Sequence, residues 1–347
     1  MPQTQADNTM PGFFEYFNYP PVGADDWQYM FQTAQVRSLE TQMLARTTIT
    51  DMANAPDFAS AVSSLGGTEY TLPQQASGED VETALVQRRA LVRELFADWM
   101  LDERIVQVFR SRDDFANLRL AVRRVVTDAP VGTDYSGQGS VSAEVFQEAL
   151  GEQNYAMLPE HMREAADEAA LAYYQNKDIR QIDAAIDRVE AAYRLRMAGQ
   201  VDGVFLRNLF RVQIDLTNIR TMLRLKLLDA DQRDVLLEGG FVSLDRFRQG
   251  LDLGYEVLGS LFFGTPYHQV MEAGAAYVAA NGSFLKVEQQ CDEYLLGFLR
   301  QTMQITAGPQ PIIAFLLVKE HEIRTVRLIL TAKRNNLDTK LILDRVA

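Results

Sequence analysis

Slid past itself by 101 residues, the chain lays residues 109–150 on residues 210–251 without a gap, which constrains the fold more than any other feature. Phe109/Phe210, Arg110/Arg211, Asp114/Asp215, Asn117/Asn218, Arg119/Arg220, Arg123/Arg224, Asp128/Asp229, Ala129/Ala230, Gly139/Gly240, Val141/Val242, Ser142/Ser243, Phe146/Phe247 and Leu150/Leu251 are identical. That is 13 matches in 42 positions, where average residue usage gives about 2 or 3 by chance. A weaker third copy lies near the end. Glu322, Thr325, Val326 and Arg327 stand where the other copies have the acid, the Asn, an apolar residue and the Arg. The acids are 101 and then 107 residues apart (215 − 114, 322 − 215), too long a period for a solenoid. Three related units follow. Repeated head-to-tail contacts can close them into a ring around a pseudo-threefold axis, although the repeat alone leaves a line of units open.

The periodicity inside the units is helical. Ile182, Ile186, Val189 and Tyr193 form an apolar stripe with Asp183, Asp187 and Glu190 on the opposite face. Leu85, Val92, Phe96 and Trp99 form another. The span from Phe205 to Leu228 is apolar on nearly every side, which predicts a central buried helix. Pro56, Pro73, Pro130, Pro159, Pro266 and Gly308-Pro309-Gln310-Pro311 punctuate these segments, and strand-type alternation is scarce. The predicted class is all-α. The predicted partition is a loosely docked lead segment over 1–30 and helical repeats over 31–130, 131–231 and 232–347. Within a repeat, Arg110 and Asp114, like Arg211 and Asp215, are four apart and can pair along one helix face, with Asn117 and Asn218 one step on. Gly-x-Val-Ser then leads into the next helix, with Ser142 and Ser243 as N-caps and Glu144 and Asp245 in the first turn.

The charge excludes several roles. Acids outnumber bases 47 to 34 for a net −13, and no Lys/Arg run exceeds two residues. Nucleic-acid binders and proteins held by anionic lipid draw most of their affinity from basic patches, so neither partner is expected. The longest clean apolar run, Ile312 to Val318, is far short of the roughly 20 residues a spanning helix needs. No secretion signal is read at the N-terminus. The single cysteine, Cys291, cannot form an internal disulfide and reads as a buried structural thiol beside Asp292 and Glu293.

Motifs for catalysis are missing where they would be expected. The chain contains no Gly-Lys pair, so no phosphate-binding loop. His321-Glu322 opens like a zinc-protease helix, but Thr325 occupies the second histidine's place. His161 and His268 lack ligand partners at metal spacing and read as surface or packing residues. Asn281-Gly282-Ser283 reads as a turn, and Phe262-Phe263 as core, with an exposed docking edge as the alternative. Carboxylates present in triplicate read as structural or interface groups, because one chain rarely needs a catalytic acid three times. Arg119, Arg220 and Arg327 read as partners of Asp114, Asp215, Glu322 or nearby carbonyls, fixing the angles between units; a cavity-facing contact with other subunits is the competing reading. No enzyme activity and no cofactor is expected.

At these residues the chain resembles the C subunits of archaeal and bacterial A/V-type ATP synthases, which are related to the d subunit of the eukaryotic V-ATPase. The resemblance rests on Val36-Arg37-Ser38-Leu39-Glu40, on Asp215-Leu216-Thr217-Asn218-Ile219-Arg220 with Arg224 and Lys226, and on the C-terminal set. That set is Gly308-Pro309-Gln310-Pro311, Lys319-Glu320, Glu322, Val326-Arg327, Lys333 and Asn335-Asn336. The sequence departs from the family's pattern in a longer N-terminal extension and in Thr325, where Asn is more typical. The resemblance implies a funnel of three pseudo-equivalent helical domains in the central stalk of a V/A-type rotary ATPase. Its base would sit on the membrane proteolipid ring and its mouth would receive the central shaft, transmitting torque for proton or sodium transport at the cytoplasmic face of the membrane. An unrelated all-α scaffold with a duplicated domain is the alternative reading.

Overall fold

A computed structural model describes residues 21–73, 75–126, 135–152, 154–201 and 203–346. Most of the lead segment (1–20), Pro130 and the repeat pair members Asp128 and Ala129 lie outside the described residues. Among the described residues every regular element is helical. The α-helices are α1 (Met30–Glu40), α2 (Arg46–Asn54), α3 (Phe58–Ser63), α4 (Gly78–Trp99) and α5 (Glu103–Val126). They continue with α6 (Ala143–Gly151), α7 (Glu160–Asn176), α8 (Ile179–Gln200), α9 (Val204–Leu227) and α10 (Leu244–Asp252). The last five are α11 (Tyr255–Leu261), α12 (His268–Asn281), α13 (Leu285–Arg300), α14 (Pro309–Arg334) and α15 (Thr339–Val346). The predicted all-α class holds.

Local chemistry sets the ends of these helices. Ser77 and Asp80 form a reciprocal capping box at the start of α4. Pro309 opens α14, where its missing N–H costs nothing. The ends of α9 and α14 match in detail. Asp229 and Asn336 take left-handed backbone (φ 50 and 54), and Ala230 N–H and Leu337 N–H reach back five residues to the carbonyls of Leu225 and Ala332 (2.9 and 3.0 Å). Positions 229 and 336 are 107 apart, as the repeat requires.

The long helices α5, α9 and α14 organise the core. The first half of α5 (Ile105 to Phe109) and of α14 (Ile312 to Leu316) share one apolar cluster with all of α9. Their second halves leave it. Phe115, Leu118, Ala121 and Val122 of α5 pack with α6, α7 and α8. Ile323, Val326, Ile329 and Leu330 of α14 pack with Met52, Val62, Leu65, Val81 and Leu85 from α2–α4. Helix α14 thus rests on α2, α3 and α4, and the third cluster is built from both ends of the chain. The first and third clusters draw residues from both sides of the expected boundaries at 130 and 231, and the second from both sides of 130.

The described part of the lead segment is tied down rather than loosely docked. Asp26 N–H bonds to the Ala307 carbonyl (2.7 Å), Asn208 donates to the Pro21 carbonyl (2.8 Å), and Gln310 to that of Ala24 (3.2 Å). Residues 21–26 therefore run as a strap across the starts of α9 and α14, held by side-chain amides of those helices and by the turn before α14.

Candidate functional site

The triplicated acids share one job. Asp215, fully buried, accepts hydrogen bonds from Phe241 N–H (2.8 Å), Val242 N–H (3.2 Å) and the Tyr267 hydroxyl (2.9 Å). Asp114 accepts from Ser140 N–H (2.8 Å), Val141 N–H (3.0 Å) and the Ser140 hydroxyl (2.6 Å). Each acid grips the loop leading into the next helix at the same offsets of 26 and 27 residues. The predicted pairs Arg110–Asp114 and Arg211–Asp215 do not form. Arg110 reaches Glu103 (4.0 Å) and Arg211 donates to the Gly240 carbonyl (3.0 Å), because backbone donors already occupy the buried carboxylates. Ser142 and Ser243 stand at the predicted N-caps, but neither hydroxyl makes a capping bond. Gly139 and Gly240 allow this close approach: a Cβ there would lie 2.1 and 2.0 Å from the Asp114 and Asp215 oxygens.

Glu322 repeats the arrangement across the chain's two ends. It accepts from Leu44 N–H (2.7 Å), the Tyr70 hydroxyl (2.7 Å) and Lys319 Nζ (2.6 Å). Leu44 and Tyr70 correspond to Phe241 and Tyr267 at a common shift of 197 residues (241 − 44, 267 − 70). The turns agree as well. Thr68 and Thr265 each donate to a carbonyl three residues back (2.7 and 2.8 Å) and accept from the N–H of the Tyr two residues on (3.1 and 3.3 Å). Sequence reasoning missed this pair, though its signal stands in the chain as Gly67-Thr68-x-Tyr70 and Gly264-Thr265-x-Tyr267.

The other predicted residues divide by type. Asn117 pairs both ways with the Ser136 backbone (2.9 and 2.8 Å), and Asn218 with that of Leu237 (2.8 and 2.8 Å), 19 residues on in each case. Thr325 makes no such clamp; its hydroxyl donates to the His321 carbonyl (3.0 Å). The arginines find internal partners, but not the predicted ones. Arg119 pairs with Asp187 and with Asp183 (3.4 Å), Arg220 with Glu288 (2.7 Å) and Asp292 (3.1 Å), and Arg327 with Glu82 (2.9 Å). The triplicated acids are already saturated, so the guanidiniums turn to a packed helix: α8, α13 and α4 respectively. Asp187 and Glu288 are themselves 101 residues apart (288 − 187), beyond the stretch 109–150 over which the repeat was read. The acidic face of α8 is accordingly packed on α5.

Other residues resolve as follows. Cys291 is buried, and burial pushes its thiol up to about 12. Gly282 turns the chain after α12 at φ 59. Phe262 is core and Phe263 is 56% exposed. His161 stacks on Tyr193 at 4.0 Å, and His268 packs its ring against the Gly259 carbonyl (2.9 Å).

A cavity of about 830 Å³ is lined by α5, α9 and α14 together with α4 and α13. Each of the three long helices faces it at one repeat position: Arg112, Gln213 and Glu320 are offset by 101 and 107 (213 − 112, 320 − 213). Seven arginines line it (Arg93, Arg110, Arg112, Arg194, Arg220, Arg324 and Arg345) against five carboxylates (Glu94, Asp98, Glu288, Asp292 and Glu320), a local +2 in a chain of net −13. Several of these acids are shared. Glu320 takes Arg93 (2.7 Å), Arg89 (3.3 Å) and Arg112 (3.7 Å); Asp292 takes Arg220 and Arg345 (2.7 Å). Arg324 has no hydrogen bond or ion pair among the described residues. Loss of hydration, with Arg112 and Arg345 adding to it, pulls its pKa down against the opposing pull of Asp292 and Glu320, although the residue is still exposed. Burial also pushes the neighbouring His321 down to about 4, keeping it neutral at ordinary pH.

Comparison with known proteins agrees with this architecture. A model of the ATP synthase (C/AC39) subunit family matches residues 32–345. The C subunit of the V-type sodium ATPase of Enterococcus hirae is 23% identical over 316 residues, covering 90% of this chain and 95% of that protein. The C subunit of the A-type ATP synthase of Pyrococcus abyssi is 24% identical over 343 residues, covering 93% and 92%. That of the V-type ATP synthase of Thermus thermophilus is 26% identical over 321 residues, covering 90% and 94%.

Proposed function

The chain belongs to the ATP synthase (C/AC39) subunit family, and from that premise we propose that it is the non-catalytic socket of a V/A-type rotary ATPase. It receives the central shaft in its cavity and rests on the membrane proteolipid ring, passing torque between them at the cytoplasmic face of the membrane. No described helix is long and apolar enough to cross a membrane, so attachment runs through protein contacts. The observation that carries the reading is the cavity that the three repeat-related helices line together with α4 and α13. The long helices meet in one cluster over their first halves and separate into three over their second, which is how a funnel is built. Membership of the family sets aside the unrelated scaffold.

We partition the funnel differently from 31–130, 131–231 and 232–347. One unit runs through α5–α8 and a second through α9–α13. The third joins α14 and α15 to α2–α4. Joining the two ends in one unit supports a closed ring over a line, since a line would leave the apolar second half of α14 exposed. Asp114, Asn117, Arg119 and their counterparts Asp215, Asn218, Arg220, Glu322, Thr325 and Arg327 set the shape of this socket and are not its contact residues.

The test is rotation. A gold particle fixed to this chain in the assembled complex turns in step with ATP hydrolysis. A particle that stays still while the complex pumps ions overturns the socket reading.

A further inference from the structure

Helices α11 and α12 of the second unit line a surface groove of about 580 Å³, and none of its lining residues lines the central cavity. Its apolar part is the ring of Phe263, 56% exposed, with the exposed Ala276 and Ala279. Its charged part is acidic. Glu256 and Glu272 line it, no lysine or arginine does, and among the described residues neither acid pairs with a lysine or arginine. The polar groups there lack donors. A carbonyl only accepts, so His268 Nδ1 donates to the Gly259 carbonyl (2.9 Å). In the neutral ring Nε2 is then a bare lone pair 3.6 Å from the Glu272 carboxylate, two acceptors with no donor between them. A protonated His268 would pair with Glu272 and still leave Glu256 alone. The Tyr255 hydroxyl is shielded from water and has no hydrogen-bond partner among the described residues. Lys226, 5.2 Å from the Tyr255 ring, is committed to the carbonyls of Leu251 (3.3 Å) and Leu253. The third unit does not repeat the groove: at the shift of 197 it has Ala59, Gly66 and Thr71 for Glu256, Phe263 and His268 (256 − 59, 263 − 66, 268 − 71).

We propose that this groove docks a segment of another subunit of the complex, one that presents a lysine or arginine from an apolar surface. The cation meets Glu256, Glu272 and His268 Nε2, and its aliphatic stem and apolar neighbours cover Phe263 and the two alanines. An exposed ion pair by itself adds little to affinity, so charge and apolar cover have to come from one occupant. A second copy of this chain is a poorer fit, since each copy carries a net −13. Anionic lipid and nucleic acid are repelled by the same acids. Because the third unit lacks the groove, the contact singles out one unit of a triplicated chain, which a contact at a repeated position does not do. The proposal stands apart from the socket reading, because the groove and the central cavity share no lining residue.

The experiment labels carboxylates with glycine ethyl ester and a water-soluble carbodiimide, in the free chain and in the purified complex, and reads the modified residues by mass spectrometry. In the complex Glu256 and Glu272 react more slowly than in the free chain by about tenfold or more. Complexes assembled with Phe263→Ser or with Glu256→Lys lose most of the protection of Glu272, and both free variants keep the Tm of the wild type, since each position is exposed. Equal labelling in the free chain and in the complex leaves the groove open and overturns the inference. Protection of Glu272 that both variants leave intact overturns it too, because the cover then does not depend on the ring or the charge. Protection already present in the concentrated free chain and lost on dilution assigns the groove to a second copy, which also overturns it. None of these outcomes bears on rotation, so the socket reading stands or falls by its own test.

Discussion

Asp215 carries its carboxyl in full burial with two backbone amides and the Tyr267 hydroxyl upon it, and burial still lifts its pKa to about 7 from 3.8. The folded chain therefore binds this proton more tightly than the unfolded chain. Its stabilising contribution is full below about pH 4 and is lost as pH rises to about 7, at a rate of up to about 1.4 kcal/mol per pH unit. Asp215→Asn removes the titration. The stability of the wild type relative to this variant should fall across that window and level off above it, as followed by denaturant unfolding; a difference that rises with pH contradicts the assignment. Arg220 offers a second measurement at this scale. Glu288 keeps Arg224 (2.8 Å) and Asp292 keeps Arg345 (2.7 Å) when Arg220 is lost, so Arg220→Ala should cost about 1–2 kcal/mol. ATP-driven ion pumping should return whenever the complex assembles. Unchanged stability with hydrolysis uncoupled from pumping would instead place Arg220 at the rotor contact.

At the scale of elements, one device is built twice from different stretches of chain. In the second unit Tyr267 reaches Asp215 from the turn after α11; in the third Tyr70 reaches Glu322 from the turn after α3. Tyr267→Phe and Tyr70→Phe each remove one hydrogen bond to a buried carboxylate while keeping the ring, and each should cost about 1–3 kcal/mol. Thermal unfolding of the two variants checks this, and a silent Tyr70→Phe would separate the third unit from the second. The choice of Glu over Asp has a geometric reading. Met43 stands where Gly240 stands in the second unit (240 − 43 = 197), so the carboxylate must approach past a side chain. Glutamate supplies one more methylene.

The molecule as a whole is closed by its ends. The second half of α14 buries Ile323, Val326, Ile329 and Leu330 against residues that precede α5. Residues 1–99 and 100–347 produced as separate chains should therefore form a one-to-one complex. In that complex the amides of 322–334 should exchange with solvent far more slowly than in 100–347 alone. Failure to associate, or equal exchange with and without the partner, would show that the two ends do not complete a common unit. Arg112, Gln213 and Glu320 of the three long helices face one cavity.

The sequence by itself determined the helical class, the triplication and the repeat positions that matter, because periodicity and identity at a fixed shift are local properties of the string. Asp114 on Asp215, Asn117 on Asn218 and Arg119 on Arg220 were all legible in this way. Their partners were not. Spacing of four suggested Arg110 for Asp114, yet a buried carboxylate is better served by backbone amides 26 and 27 residues away, and only packing brings those within reach. The gathering of arginines at the cavity was equally hidden, since Arg112, Arg324 and Arg345 are scattered over more than two hundred residues. Tertiary structure alone decided that they face one cavity and that residues from α2–α4 pack on the second half of α14, because burial of that apolar face requires a partner from elsewhere in the chain.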